Sequence, residues 1–409
     1  MSQPPVMIKN PGRLHSIDVL RAVNMFFMIF VNDLSGVRNV PEWIDHVKGD
    51  VDGMHFADTI FPLFLFIAGL SLPIAIGKRL SKGDSFGSIA FYIFLRSFAL
   101  IVMGFFHVNM EDYDTHNSLT LNIFGTVHLI PLSLGVWEFL LTLSFFLIWL
   151  DYPETLAKFK RYTLTGAGVV LLITLALLYK GGTPAAPKGL APEWWGILGI
   201  IGWAYLVCAG VFLVFKGNFA AMCVALALFV AINICSHGHW INYHIWVVQD
   251  GNSTSLMMFG VVFSLLYYKF VTQGKYGRIW LVFTLGGLAV IAFGLFVRPY
   301  TEGISKIHST PAWVLICSGI GILLFEFFIW LIDVKGKANW FKIIKPAGTS
   351  TLTCYLIPYF MVAIFAIVRF TYPDFLSEGT GGIIRSFAVC FVVIFITGVL
   401  EKRRLRLKV

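Results

Sequence analysis

Charge is what this chain has least of. Only 13% of its 409 residues are Asp, Glu, Lys or Arg, while 57% are hydrophobic and the mean hydropathy is +0.79. Soluble domains carry roughly 25% charged residues, so a water-exposed globular fold is excluded. Cysteine is sparse as well: Cys208, Cys223, Cys235, Cys317, Cys354 and Cys390 all fall inside or at the ends of apolar runs and share no ligand spacing. They read as small buried residues and name no redox compartment. No glycine-rich phosphate loop is present, which leaves nucleotide hydrolysis without support. Internal repeats, low-complexity tracts and a soluble domain are all missing, so residues 1–409 are read as one domain. Residues 1–15 are polar, and the first apolar run has no small-residue cleavage site; that run is expected to stay as a helix.

What fills the chain is a series of apolar runs of about 20 residues, each long enough to cross a bilayer. Twelve candidates lie near 17–34, 56–77, 87–108, 134–150, 161–179, 195–215, 219–235, 254–272, 279–297, 311–332, 347–368 and 383–400. The expected fold is an all-α polytopic transmembrane bundle of about 10–12 spans. The count is loosened by residues 119–133 (LTLNIFGTVHLIPLS), which could dip into the membrane.

The connections alternate in charge. Lys9 and Arg13 precede the first run, Lys78, Arg79 and Lys82 follow the second, and the same alternation continues to the tail EKRRLRLKV. This set holds 21 of the 31 Lys and Arg residues, against eight in the opposite connections, so the positive-inside rule puts both termini in the cytoplasm. The net charge of +9 is thereby explained by topology, and nucleic acid is not expected as a partner. Nine of ten histidines, all but His15, fall in or beside the outer connections, with the acidic groups Asp45/Asp50/Asp52 and Glu111/Asp112/Asp114. A polar substrate would be met on that side.

The stretch from Ser16 to Leu70 concentrates this chemistry. Its first run, SIDVLRAVNMFFMIFVND, has Ser16 as a candidate N-cap and ends on Asn32 and Asp33. Arg21 and Asn32 are eleven residues apart, about three turns, and share one helix face. A loop with His46 follows, then GMHFADTIFPLFLFIAGLSL with Asp58 near its start. Asp58 could cap the second helix or orient a histidine, and His55 competes locally with His46. Elsewhere, SHGHWINYH groups His237, His239 and His244, but lacks the further ligand spacing of a zinc site; no metal is expected. Asp33, Trp240, His244, Lys306 and His308 are candidate substrate contacts on the outer side.

The sequence resembles the heparan-α-glucosaminide N-acetyltransferases and their bacterial inner-membrane relatives. The resemblance rests on RLHSIDVLRAVNMFFMIFVND, H…GMHFADTIFPLFLFIAGLSLPIAI, WWGILGIIGWAYL, ISKIHSTPAWVL and DVKG…KPAGTSTLTCYL, in that order. The family pattern H-A-x-W-x-G-x-x-x-x-D-x-x-F-P is met at Gly53, Asp58, Phe61 and Pro62, while His46 lies two residues farther from Asp58 than the pattern has it. Ala22 stands where the family has the glycine of L-R-G, and Gly348-Thr349-Ser350 replaces G-x-N.

The resemblance implies transfer of acetyl from cytosolic acetyl-CoA to a glucosamine-like amino sugar or glycan on the far side of a bacterial cytoplasmic (inner) membrane. His46 would be the base, Asn32 the oxyanion donor and Asp58 the support of the imidazole, by direct transfer or through an acetyl-histidine. Arg21, Arg96, Lys78 and Arg79 are the candidates for the CoA phosphates. Membrane lipids and the sugar acceptor are the implied partners, and a homodimer is left open. The competing readings are a secondary transporter of sugars and a non-catalytic membrane protein that keeps the fold; a connection as short as Lys216-Gly217-Asn218 between the sixth and seventh runs does not favour the commonest twelve-span transporter.

Overall fold

The apolar runs become helices, and the polar interruptions become their ends. The computed structural model describes residues 14–114, 118–123, 126–183, 186–240 and 247–408. Among these, the helices are α1 (His15–Leu34), α2 (Phe56–Ser81), α3 (Phe86–Glu111), α4 (Leu134–Trp149), α5 (Lys158–Leu177), α6 (Ile197–Val214), α7 (Phe219–His237), α8 (Asn252–Thr272), α9 (Tyr276–Val297), α10 (Pro311–Phe328), the short α11 (Lys345–Thr349), α12 (Thr351–Val368) and α13 (Gly379–Lys402). Ten of them are long and apolar enough to cross a membrane. The chain is an all-α polytopic membrane bundle. Of the twelve expected spans, α4 is a shorter apolar helix of 16 residues, and α1 is diluted by Asp18, Arg21, Asn24, Asn32 and Asp33.

One local expectation is corrected and another is sharpened. Ser16 does not cap α1: the helix begins at His15, Leu14 holds the cap position, and Ser16 is buried within the first turn. Residues 119–133, the stretch that loosened the span count, add no further helix among the described residues. They fall largely in an antiparallel hairpin, β1 (Ser118–Ile123) and β2 (Thr126–Pro131), with Ser118 opposite Pro131 and Ile123 opposite Thr126. The segment carries Thr, Val and Ile around Gly125, which suits an extended pair better than a helix.

Helices α2 and α8 form the centre. The apolar stretch of α8 is 83% buried within the bundle, whereas that of α5 is 11% buried, which marks α5 as peripheral and left to the lipid. Helix α2 lies along α8, α3 along α6, α9 along α10, and α1 packs against α2, α10, α11, α12 and α13. Lipid tails give no hydrophobic drive for helix pairing, so contact depends on close fit. A Cβ on Gly69 of α2 would sit 1.9 Å from the Met257 carbonyl, and one on Gly260 of α8 would sit 2.0 Å from the Phe66 carbonyl. The two glycines therefore let the backbones touch. The α3–α6 crossing uses the same device at Gly104, where an added Cβ would lie 2.2 Å from the Gly199 nitrogen.

Gly69→Ala is expected to destabilise the protein by roughly 1–3 kcal/mol, as overpacking does. Gly166→Ala, at a position with open space around it, is expected to leave stability unchanged or raised. Thermal unfolding in detergent measures the difference.

Candidate active site

Proline creates the first requirement of this site. Pro62 lacks an N–H and cannot donate to the carbonyl four residues back, so the Asp58 backbone oxygen in α2 loses its helical partner. Trp313 of α10 supplies the replacement, its Nε1–H donating at 3.1 Å. The Asp58 side chain, 2% exposed, faces the loop before the helix. One carboxylate oxygen accepts the backbone N–H of His55 at 3.0 Å and of Val47 at 3.1 Å, and the other lies 2.7 Å from His46 Nδ1. Asp58 thus caps α2 and holds the imidazole at once. A carboxylate only accepts, so Nδ1 is the donor in this pair, and in the neutral ring Nε2 is the acceptor.

Lys306 completes the group. Its Nζ lies 3.2 Å from His46 Nδ1 and 3.3 Å from Nε2. Burial pushes the ammonium below the usual lysine value, with the Asp58 charge opposing. The loop bearing Lys306 is tied to the His46 loop by Asp52, whose carboxylate takes Arg298 Nε at 3.0 Å and the Ile304 N–H at 2.6 Å, while Gly53 N–H donates to the Ile304 carbonyl at 2.9 Å. The Ile304 N–H holds the Asp52 carboxyl below its usual value against the opposing effect of burial, with Arg298 adding to the lowering. Glu302 in the same loop accepts from His237 Nδ1 at 2.9 Å and pairs with His239 Nε2 at 3.0 Å. No group of three His, Cys, Asp or Glu residues suited to a metal ion occurs among the described residues.

Two cavities flank the hairpin of α1 and α2. The first, about 420 Å³, is lined by the start of α1, the later half of α2, α3, α6, α12 and the C-terminal segment; Arg21, Arg96, Arg406 and Lys408 bring four cations to it. Arg21 donates to Ser71 Oγ, to the Gly348 carbonyl and to Asp18, and Arg96 donates to Tyr92 and lies 5.0 Å from the Tyr205 ring centroid. The second, about 500 Å³, is lined by the C-terminal halves of α1 and α3 and includes Asn32, Asp33, His107, Glu138, Trp195 and Tyr359. Ile197, Leu198 and Tyr355 line both cavities and form the wall between them.

The structure thus brings together His46, Asp58 and Lys306, and separately Arg21 with Arg96. Asn32 is exposed on the wall of the second cavity, which His46 does not line. Asp33 is engaged by α13: Arg385 donates to its carboxylate at 2.9 Å and Ser386 at 2.6 Å. Neither Lys78 nor Arg79 lines the cationic cavity; Lys78 is exposed, and Arg79 pairs with Asp84 at 3.1 Å over the Tyr92 ring. Trp240 and His308 are exposed, and His244 lies outside the described residues. His55 contributes its backbone N–H to Asp58, not its ring.

Residues 13–94 match the family model described as heparan-alpha-glucosaminide N-acetyltransferase, catalytic. This covers α1, the His46 loop, α2 and the start of α3, the segment holding Arg21, Asn32, His46 and Asp58. This segment of the chain, rather than its whole length, is similar to that family. The Homo sapiens protein named heparan-alpha-glucosaminide N-acetyltransferase is 35% identical over 100 residues, which cover 24% of this chain and 14% of its own length. The Mus musculus protein of the same name is 28% identical over 159 residues, covering 37% of this chain and 22% of its own length. The family segment is therefore shared, while the matched stretches amount to less than a quarter of either relative.

The family-matched loop carries a pH-dependent tie. Because Asp52 is lowered in the fold, its bond to the Ile304 N–H holds above the usual carboxylate value and is lost as pH falls through the lowered one. Hydrogen exchange at the Ile304 amide is expected to stay protected at neutral pH and lose protection in acid, and Asp52→Asn should reduce protection at neutral pH.

Proposed function

We propose that this protein is a transmembrane acetyltransferase that moves acetyl from acetyl-CoA to the amine of an amino sugar across a bacterial cytoplasmic membrane. The observation that carries the proposal is the His46–Asp58 pair within the family-matched hairpin. Asp58 fixes the tautomer, which leaves Nε2 as the atom able to take a proton from an attacking amine. The Lys306 ammonium, 3.3 Å from Nε2, can shift to meet the negative oxygen of a tetrahedral intermediate. Asn32, on the other arm of the hairpin, brings an amide to the wall of the second cavity.

The cationic cavity supports the donor half of the reaction. Its four cations lie at the end of the bundle that the Lys and Arg bias assigns to the cytoplasm, where acetyl-CoA is made available. Arg21 and Arg96 are the proposed phosphate contacts, joined by Arg406 and Lys408. Arginine suits this role because its planar donors meet phosphate oxygens in pairs. The shared wall of Ile197, Leu198 and Tyr355 then separates the donor side from the acceptor side, so only the acetyl end of the donor has to approach it.

Purified protein given isotopically labelled acetyl-CoA and a panel of amino sugars is expected to form an N-acetylated product. His46→Ala should lower turnover by about 10²–10⁴-fold, the usual contribution of a positioned base, with His55→Ala close to wild type. Arg96→Gln should raise KM for acetyl-CoA more than it lowers kcat. Failure to acetylate any acceptor, together with sugar uptake into proteoliposomes, would overturn the enzyme reading; loss of activity in His55→Ala but not His46→Ala would overturn the residue assignment.

A further inference from the structure

The end of α7 carries histidines that the hairpin chemistry does not use. His237, the last residue of that helix, is 12% exposed and has a carboxylate at each ring nitrogen. Glu302, in the connection between α9 and α10, meets Nδ1 at 2.9 Å, and Asp250, just before α8, meets Nε2 at 3.2 Å. His239 Nε2 reaches the other Glu302 oxygen at 3.0 Å, and His308 acts on the Glu302 charge from farther along the same connection. Asp250, Glu302, His239 and His308 are thus the titratable groups around His237 and its partners, with the Asp52–Arg298 pair at the base of the connection.

A carboxylate can only accept, so both nitrogens of His237 have to donate, and both donate only in the imidazolium. The proton is therefore part of the structure. Its removal would set a ring lone pair against a carboxylate oxygen, and one of the two bonds would open. Asp250 is the fixed partner: it is 10% exposed, and its second oxygen accepts the Asn252 N–H at 3.2 Å at the start of α8. Glu302 is the loose one. It is 40% exposed, and its φ of +60° lies in the left-handed region, which a residue other than glycine keeps only where its contacts hold it. The bond from His237, with the charges of the neighbouring histidines, keeps the Glu302 carboxyl below its usual value against burial.

What Glu302 holds is the segment that carries Lys306. Between the two, Ile304 is tied to Asp52 and Gly53 of the His46 loop. Beyond them, the Ser309 carbonyl accepts at 3.4 Å from Asn233, one turn before His237 on α7. We propose that His237 is a positioning residue for Lys306: its imidazolium, bonded at once to Asp250 and Glu302, clamps residues 302–309 against the end of α7 and keeps the lysine beside His46, and loss of its proton releases that segment. The clamp rests on its own geometry; that Lys306 serves acetyl transfer rests on the acetyltransferase reading. The clamp opens as pH rises through the titration of His237. The Asp52 and Glu302 carboxylates fail in the other direction, as pH falls through their lowered values, so the segment is fully held only between these limits.

NMR of the full chain in detergent, with isotope-labelled histidine, follows the titration of His237, its signal assigned by loss in His237→Gln. Hydrogen exchange at the Gly303 and Ser305 amides, corrected for the intrinsic rate, is read over the same pH range. The wild type is expected to lose protection at both amides by about tenfold as His237 titrates, the scale of one hydrogen bond to a charged group. Glu302→Gln should lower the His237 midpoint by about one unit, as loss of a neighbouring opposite charge does. His237→Arg, charged throughout, should keep protection without the alkaline loss. Protection that stays constant while His237 titrates, or a midpoint unmoved in Glu302→Gln, overturns the clamp. In the acetyl-transfer assay, the alkaline fall in kcat should move with that midpoint in Glu302→Gln while KM for acetyl-CoA stays fixed. The two readings fail separately: a titrating clamp in a protein that acetylates nothing sinks the enzyme alone, and acetyl transfer whose alkaline limb is the same in Glu302→Gln sinks the positioning role.

Discussion

One buried carboxylate organises the family-matched end of this bundle. A nearly fully covered aspartate in an apolar helix must be met by donors, because an uncompensated buried charge costs several kcal/mol. Asp58 finds three, two from the backbone of the preceding loop and one from His46. Each bond has a structural result: the loop is folded down, α2 starts where it does, and the imidazole is turned to one orientation. Pro62 extends the effect to α10, since the carbonyl it orphans is the one Trp313 takes up. Helix capping, loop conformation and side-chain tautomer are thus consequences of a single group.

The remaining polar groups are sorted by end. The cations of Arg21, Arg96, Arg406 and Lys408 share one cavity, and the acids and histidines gather in the other half. Close backbone contact at Gly69 and Gly260 keeps α2 against α8 between these halves. Contact this close leaves these two helices little room to slide or separate without losing their fit.

Much of this was legible in the residues. Each of the twelve apolar runs became a helix, because length and hydropathy decide helix formation where water is absent. Asp58 was readable as a cap or as a histidine support, and it does both. His46, two residues farther from Asp58 than the family spacing, still reaches it, since the extra length is taken up in the loop. Other features depend on tertiary contact and carry only weak sequence signals. Asp33 stands beside Asn32 in sequence but is held by Arg385, 352 residues away. The basic tail read as topology alone, yet Leu407 is buried and its N–H donates to Thr353, which brings Arg406 and Lys408 to the cavity. The alternation Arg-Leu-Arg-Leu-Lys was the available sign, being the period of an extended segment with one apolar face. Lys78 and Arg79 carry the same charge at the same end but lie on a part of α2 that does not line it.

The partition made by Ile197, Leu198 and Tyr355 has an electrical side. Two of its three side chains are hydrocarbon, and the third is an aromatic ring whose hydroxyl is engaged with Tyr359 at 3.1 Å. An ion entering from either cavity would have to shed its hydration against that layer, a barrier of the kind that closes hydrophobic gates. The molecule can therefore be hollow from both ends while a layer of hydrocarbon and aromatic ring separates its two cavities.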